Sequence, residues 1–319
     1  MNKSVLLATI AVLLVAGCTQ TNGQWPWQPV TTNLVSGTGM VISEFTIDPT
    51  SIYGNSNARI MITVSNKGGV SVTNDKSMIF LTGSALELAD TSGVYWHKDG
   101  ESVYKHFDKT MNPEDVVRET QADEKTITWT LTAPNISKGQ TRPDIFIGRV
   151  YYDYQTIVSG TVWVYSQSEQ EAAKAAGREL NKASLSSTTG PIALTVKVSP
   201  DPIISASSDN SFTMTIKISN VGGGALYKAG AVTYTAGSEN VELTTDELNK
   251  VDIAITAPGM DIGTGCIGEQ ELVSGKDITL SCDLTISSPP ATFKGYPITV
   301  AATYGYNTER TATVTVQGR

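Results

Sequence analysis

Histidine is the side chain most often used for acid–base or metal chemistry near neutral pH, and this sequence has only two. His97 and His106 both lie in the segment GVYWHKDGESVYKHFDK. The Asp-Gly pair between them is typical of a two-residue hairpin turn, and such a turn would pair Tyr95 with Tyr104. The histidines would then lie four residues apart along the ribbon, about 13 Å at 3.3 Å per residue. That spacing is too wide for one metal ion.

Other patterns of catalysis and metal binding are missing from the sequence. It has no Gly-x-Ser-x-Gly elbow and no HExxH helix, and the carboxylates of PEDVVRETQADE are better explained by a solvated loop. The runs DTSGVYWHKDG and TTDELNKVD lack the alternating oxygen ligands of a calcium loop, although calcium binding and glycosylation at Asn135-Ile136-Ser137 stay open. We therefore predict a protein that is not an enzyme and needs no cofactor or metal.

The net charge and the length limit the class of protein. A formal charge of -8 at pH 7 leaves no excess of Lys and Arg to neutralise phosphates, which argues against nucleic acid as a partner. With 319 residues the chain can bury two cores of ordinary size. The hydrophobic content of 40% and the charged content of 17% indicate a folded chain.

The first residues have the shape of a secretory signal. MNKS carries one Lys, the apolar run VLLATIAVLLV follows, and the small residues Ala16 and Gly17 come next. A membrane-spanning helix needs about 20 apolar residues, so this run is too short to be a retained span. We predict a signal peptide over residues 1–17.

The first cysteine of the chain, Cys18, directly follows this signal. The tetrapeptide Val15-Ala16-Gly17-Cys18 resembles the lipobox of prokaryotic lipoproteins. The resemblance implies that Cys18 is diacylated, that residues 18–40 form a tether on the membrane lipid, and that the protein is extracytoplasmic and lipid-anchored to the cell membrane. Two acyl chains are enough for stable anchoring. The alternative is an ordinary secretory signal that happens to end near a cysteine.

The two remaining cysteines, Cys266 and Cys282, are an even number in a chain that would face an oxidising exterior. Their spacing matches no pattern of paired zinc ligands. We predict a disulfide between them, with two buried free thiols as the alternative.

One phrase occurs twice in the sequence, as SNKGG from Ser65 and as SNVGG from Ser219. The strand-like runs IMITV and MTIKI precede the two phrases. Period two directs Ile60, Ile62 and Val64 of the first run to one face, and likewise Met214, Ile216 and Ile218 of the second. Further on, YDYQTIVSGTVWV from Tyr152 aligns without a gap on YGYNTERTATVTV from Tyr304. The chain therefore holds two copies of one unit. We expect the phrase to be a strand exit and a hairpin of tyrosines and valines to close each copy.

Short alternating strands in units of 120 to 130 residues predict an all-β fold of antiparallel sandwiches. The strand-Asn-x-Gly-Gly exit, the Pro-rich starts and the closing strand pair resemble the immunoglobulin-like modules of archaeal and bacterial cell-surface proteins called CARDB-like or S-layer-associated. The resemblance implies two tandem Ig-like sandwiches, over residues 41–165 and 190–319, and a surface location.

Between the copies, SQSEQEAAKAAGREL is rich in Ala, Glu and Lys, and Ser168 and Glu171 are spaced as a capping box. We predict a short helical linker over residues 166–184, mostly solvated because Leu180 is its only large apolar residue.

The two copies of the unit differ most in sequence in their middle segments. Binding sites on sandwiches usually lie in such loops. Within the first copy, the aromatic residues Tyr95, Trp96, Tyr104 and Phe107 form our candidate binding surface, since Trp and Tyr dominate binding hot spots. We expect a structural or adhesive surface protein that binds a protein or glycan ligand. The alternative is an accessory binding component of a membrane transport or secretion complex.

Overall fold

The structure is a computed structural model of the whole chain. It describes residues 38–83, 86, 95–98, 100, 102–206, 210–234 and 241–319. Every described residue belongs to one compact unit, Val35–Arg319. The predicted signal peptide, Cys18 and most of the predicted tether lie outside the described residues.

Strands dominate the described residues, which also contain one α-helix, α1 (Gln167–Ala175), and three single 3₁₀ turns, Asn74–Lys76, Thr245–Glu247 and Thr264–Cys266. The strands are β1 Met40–Asp48, β2 Ser51–Tyr53, β3 Asn57–Asn66, β4 Ser77–Gly83, β5 Tyr104–His106, β6 Glu124–Thr132, β7 Thr141–Ser166, β8 Ser184–Ser187, β9 Ile192–Ser199, β10 Ile203–Ser205, β11 Ser211–Asn220, β12 Ala225–Tyr227, β13 Lys250–Thr256, β14 Met260–Ile262, β15 Gly268–Glu271, β16 Asp277–Ile286 and β17 Phe293–Gln317. The predicted all-β, mainly antiparallel sandwich architecture is confirmed.

Two long strands, β7 and β17, form the centre of the molecule. They pair antiparallel over 25 residue pairs, from Phe293 opposite Tyr165 to Gln317 opposite Thr141. Every second side chain of β7 from Asp144 to Val158 is buried, as expected for a strand with one face on the core. A ten-stranded sheet is built around this pair, in the order β15-β13-β17-β7-β4-β5, with four short strands added to β7 and β17.

The register of β7 and β17 reflects the sequence repeat. Tyr152 corresponds to Tyr304 in the repeat, yet it lies opposite Tyr306, and Tyr154 lies opposite Tyr304. Tyr152 therefore lies opposite the residue that corresponds to Tyr154, and Tyr154 lies opposite the residue that corresponds to Tyr152. A two-fold axis produces this arrangement. The axis passes between Asp153 and Gly305, the central opposed pair.

Two smaller sheets cover one face of this central sheet. The first has the order β1-β3-β6 and the second the order β14-β16-β11-β9. The inward side chains predicted for β3 and β11 are confirmed, because all six are fully buried: Ile60, Ile62, Val64, Met214, Ile216 and Ile218.

The two copies exchange strands across the central pair. The Thr156 hydroxyl of the first copy donates to the Ile192 carbonyl of the second at 3.0 Å, and the Thr308 hydroxyl donates to the Met40 carbonyl at 3.2 Å. In the same way β2 pairs with β17, and β10 pairs with β7. Each sandwich thus contains strands from both copies. This differs from the expected tandem arrangement, in which only a linker joins the sandwiches.

The prediction of a hairpin at the end of each copy is also wrong, because each of these segments is part of one long strand that pairs with the other copy. Tyr152–Val164 runs straight through β7 instead of turning back. Gly160, in the middle of this stretch, permits a close approach of backbone: a methyl group there would overlap the carbonyl oxygen of Ser184 in β8. The glycine therefore accommodates the close approach of β8, which pairs antiparallel with this part of β7.

The helix between the copies is shorter than predicted and begins elsewhere. It spans Gln167–Ala175, and the hydroxyl of Ser166 accepts the first cap bond from the Glu169 N–H at 3.2 Å. Ala173 is 1% exposed, so one side of the helix is packed rather than solvated.

The repeated phrase is a strand exit, as predicted, and a buried tyrosine fixes it. In the first copy the Tyr154 hydroxyl accepts from the N–H groups of Gly69 (2.9 Å) and Val70 (3.0 Å) and donates to the Thr189 carbonyl (3.0 Å). A methyl group at Gly68 would overlap this hydroxyl. In this copy the glycine is needed for the close approach of a side chain rather than for positive φ.

The second exit repeats this design. The Tyr306 hydroxyl accepts from the Gly224 N–H at 2.7 Å and donates to the Asn220 side chain at 2.8 Å. Tyr152, Tyr154, Tyr304 and Tyr306 lie together around the two-fold axis, with ring centroids 6.0 to 6.4 Å apart. Burial raises the pKa of all four hydroxyls. They stay protonated at any ordinary pH, so the hydrogen bonds of the Tyr154, Tyr304 and Tyr306 hydroxyls persist.

Candidate binding surface

The predicted disulfide is confirmed. Cys266 and Cys282 are bonded, with Cα atoms 5.7 Å apart, and both are buried. Cys282 belongs to β16 and Cys266 ends a 3₁₀ turn, so the bond fastens the loop before β15 to the second small sheet.

The four aromatic residues of the candidate surface do not lie together. Trp96 and Phe107 are buried in the main core at 1% and 2% exposure, whereas Tyr95 is 42% exposed and Tyr104 is half-buried. The hairpin expected to hold them is also absent among the described residues. Instead, Tyr104 pairs with Phe80 of β4.

The two histidines belong to different parts of the fold. His97 pairs with Thr132 at the end of β6, and His106 pairs with Met78 of β4. Within the described ranges, no three His, Cys, Asp or Glu side chains are grouped to hold a metal ion.

A second aromatic cluster covers the outer face of the central sheet, opposite the small sheets. It joins Phe80 and Tyr104 to Tyr151 and Tyr227, with ring centroids 5.7 to 6.1 Å apart. Of the predicted surface residues, Tyr104 alone belongs to this cluster. The outer face is therefore partly apolar, and a loop of the second copy extends over it.

That loop, residues 227–234, is attached at the two-fold axis. The Tyr227 ring lies on Gly305, where any side chain would overlap it. The Asp153 carboxylate accepts from the Tyr234 hydroxyl at 3.0 Å and from the Gly230 N–H at 3.2 Å. Burial raises the pKa of the Asp153 carboxyl, and these two hydrogen bonds oppose the increase.

A groove follows the edge of this loop. It consists of two adjoining cavities of about 390 Å³ and about 250 Å³, which share Ala229 and Thr303. The smaller cavity is lined by hydroxyl and amide groups, among them Ser71, Thr73 and Gln155. The Gln155 amide donates to the Thr303 hydroxyl at 3.0 Å across the floor.

Charged side chains line the larger cavity, and both of its lysines are paired with glutamates. Lys228 lies 2.8 Å from Glu269, and Lys250 lies 3.0 Å from Glu271. The hydrogen bond from Lys228 lowers the pKa of Glu269. The groove is polar and nearly neutral, which suits a ligand rich in hydroxyl groups better than a strongly charged or apolar one.

One feature of the sequence marks this site, namely a difference between the two aligned repeats. In the aligned segments YDYQT and YGYNT, Asp153 corresponds to Gly305. This asymmetric pair holds the covering loop, since the carboxylate binds it and the glycine leaves room for Tyr227. The cavity residues of β13 and β15 come from another part of the sequence, so only the fold brings them here.

Comparison with known proteins gives distant structural similarity only. No family model matches the chain, and no curated protein matches it. Escherichia coli alpha-2-macroglobulin activated by porcine elastase is 10% identical with a TM-score of 0.22, over 84% of this chain and 32% of that one. The Enterococcus faecalis MSCRAMM ACE, whose structure is described as binding its ligands by the collagen Hug model, is 9% identical with a TM-score of 0.16, over 87% and 95%. This chain thus spans about a third of the length of the macroglobulin. No helix in the described part of the chain is long and apolar enough to cross a membrane.

Proposed function

We propose that this chain is a lipid-anchored, extracytoplasmic surface protein that binds a glycan in the outer-face groove. The observation that supports binding is the polar groove itself, which lies on the one face of the central sheet that neither small sheet covers. A glycan matches it because sugar hydroxyls both donate and accept hydrogen bonds, as do the hydroxyl and amide groups of Thr303 and Gln155.

Anchoring rests on the lipobox resemblance at Cys18 and agrees with the disulfide, which is typical of oxidising compartments. The Ig-like, CARDB-like character of the sandwiches is part of the same proposal. In this proposal the lipid anchor holds the protein on the extracytoplasmic side of the cell membrane. The rigid central sheet then presents the groove to surface polysaccharide.

The groove is tested by filling it. Ala229 is shared by both cavities, so Ala229→Trp should block them and reduce affinity for glycans on a printed array of prokaryotic surface glycans at least tenfold. Ala172→Trp, on the exposed side of α1, is the matched control and should bind as the wild type does. Equal binding by both variants, or a wild type that retains no glycan and captures only a protein, would contradict the proposal.

The anchor is tested by Cys18→Ala. Loss of the thioether site should release the protein from membranes or leave the signal uncut, because no acyl chain can be attached. Fractionation and the mass of the mature N-terminus measure this. A variant that is processed and membrane-bound like the wild type would disprove the lipid anchor while leaving groove binding unaffected.

A further inference from the structure

The floor of the outer-face groove is a single row of residues that lie opposite one another on four adjacent strands. Glu269 of β15 lies opposite Asp252 of β13, and Asp252 lies opposite Thr303 of β17. Thr303 in turn lies opposite Gln155 of β7. All four residues line the two cavities of the groove. Three strand spacings of about 4.8 Å make this row about 14 Å long, which is longer than one sugar ring.

A third cavity, of about 510 Å³, adjoins the groove at its first-copy end. Ser71 lines both this cavity and the groove's cavity of about 250 Å³. The rest of its lining belongs to residues 112–123, in the segment between β5 and β6. The groove therefore continues beyond the central sheet onto the first copy.

Two neighbouring segments connect the third cavity to the groove. Val72 and Met111 exchange backbone hydrogen bonds of 3.0 and 2.8 Å. Val72 is buried, whereas Ser71 and Thr73 on either side of it are exposed. The Ser71 hydroxyl donates to the Asn112 side-chain oxygen at 3.0 Å. Side chains that line the groove on one segment thus contact those of the third cavity on the next.

The walls of the third cavity are held by hydrogen bonds within its own segment. Asp115 and Thr120 exchange two backbone hydrogen bonds, both of 3.0 Å. The Asp123 carboxylate accepts from the Asn112 N–H at 2.9 Å and from the Lys109 ammonium at 2.6 Å. A ligand therefore finds these walls in place and loses little affinity to ordering them.

The charges of the third cavity are paired, as they are in the groove. Asp115 lies 3.6 Å from Arg118. The hydrogen bond from Lys109 lowers the pKa of the Asp123 carboxyl, so this carboxylate stays ionised beside its lysine at neutral pH. The cavity thus favours an uncharged ligand over a strongly charged one.

The remaining polar groups of the third cavity match those of the groove. Thr120 and Gln121 line the cavity and are exposed. Their hydroxyl and amide groups both donate and accept hydrogen bonds, as do those of Thr303 and Gln155. Together the three cavities exceed the volume of about 1,000 Å³ that is the upper range for a site for one small molecule.

We propose that the outer-face groove and the third cavity together bind one extended, uncharged glycan chain that lies across both copies. The inference rests on the glycan binding proposed above, and it adds chain length as a property that the site recognises. Sugar units that occupy neighbouring cavities are covalently linked, so each further contact is intramolecular and raises the affinity.

Chain length tests this inference on the full protein. The probes are the neutral oligosaccharides that partial hydrolysis releases from the surface polysaccharide of the cells that make this protein, separated by size into disaccharides and octasaccharides. In calorimetric titration the octasaccharides should bind about tenfold or more tightly than the disaccharides.

A variant of the third cavity shows where the added affinity arises. Gln121→Trp should fill this cavity and lower the octasaccharide affinity to that of the disaccharides, while disaccharide binding in the groove is unchanged. Gln140→Trp makes the same change at an exposed position that lines none of the three cavities, and it should bind both fractions as the wild type does. Thr120→Trp repeats the test if Gln121→Trp does not fold.

The outcomes separate this inference from the proposed function. Equal affinities of the two fractions for the wild type would overturn the inference and leave glycan binding in the groove intact. A folded Gln121→Trp that keeps the full advantage of the longer chain would do the same. A wild type that binds neither fraction would overturn the inference together with the proposed function.

Discussion

Trp96→Ala should lower the free energy of unfolding by about 3–5 kcal/mol, the usual cost of truncating a fully buried Trp. The indole N–H donates to the Asp144 carboxylate at 2.8 Å, and the ring meets Phe146 edge-on with centroids 5.3 Å apart. Asp144 is itself 3% exposed. The variant therefore leaves a cavity and also removes a donor from a buried carboxylate, which adds to the loss.

Neighbouring substitutions separate these contributions. Trp96→Phe keeps most of the packing and loses the hydrogen bond, so its cost should be about 1–3 kcal/mol. Tyr95→Ala, one residue away and 42% exposed, should change stability by about 0.5 kcal/mol or less. Chemical denaturation of the three variants measures all of these values.

The same series decides the role of the predicted aromatic surface. If Trp96→Ala costs as little as Tyr95→Ala, the Trp is not part of the core and the predicted binding surface returns as a candidate. Tyr104→Ala tests the outer-face cluster, where its ring contacts Phe80 and His106, and should cost about 1–2 kcal/mol for a half-buried ring.

Local features of the fold could be predicted from the sequence because local patterns determine them. Period two identified the inward side chains of β3 and β11, and the repeat identified equivalent strands. The disulfide followed from the two cysteines that remain once Cys18 is assigned to the lipobox. In each case the information lies within a few residues or in a direct comparison of the two copies.

Features that depend on long-range pairing could not be predicted in this way. Tyr152–Val164 has the alternation of a strand, but alternation does not say whether the partner is the same copy or the other one. The Asp-Gly pair favoured a hairpin around residues 95–104, yet Tyr104 pairs with Phe80 and His97 with Thr132. Both outcomes are set by which strands lie adjacent in the sheet.

The candidate site shows the same limit. Asp153 and Gln155 lie on the solvent face of a strand whose buried face carries the tyrosines, and a solvent face has no pattern that marks it as a site. The groove exists because β13, β15 and a loop of the second copy are brought onto the central pair of β17 and β7. Only the asymmetry between Asp153 and Gly305 was visible beforehand.

Cleavage of the full chain between α1 and β8 should leave the two halves together as one particle. Gly177–Asn181 is an exposed, non-helical stretch that can take an inserted protease site. After cleavage, β7 and β17 still share 25 residue pairs, and the hydroxyls of Tyr154 and Tyr304 still bond to Thr189 and Thr156 of the opposite half. The nicked protein should elute in gel filtration at the size of the intact chain and separate only in denaturant.

The intact chain with the inserted but uncut site is the control for this experiment, and its melting temperature should match that of the wild type. Two sandwiches joined only by a linker would behave differently, because cleavage would release two folded monomers of about half the mass. That result would contradict the shared central sheet.

Each half expressed alone should fail to form a stable monomer, because its long strand would expose one whole edge along the core. The first half has a specific alternative. The two-fold register places Tyr152 opposite the counterpart of Tyr154, so two molecules of this half could pair β7 with β7 and bring the same tyrosines together. We expect residues 38–166 to be either unfolded or a symmetric dimer by light scattering, and a folded monomer would show that the central pair is not required for either sandwich.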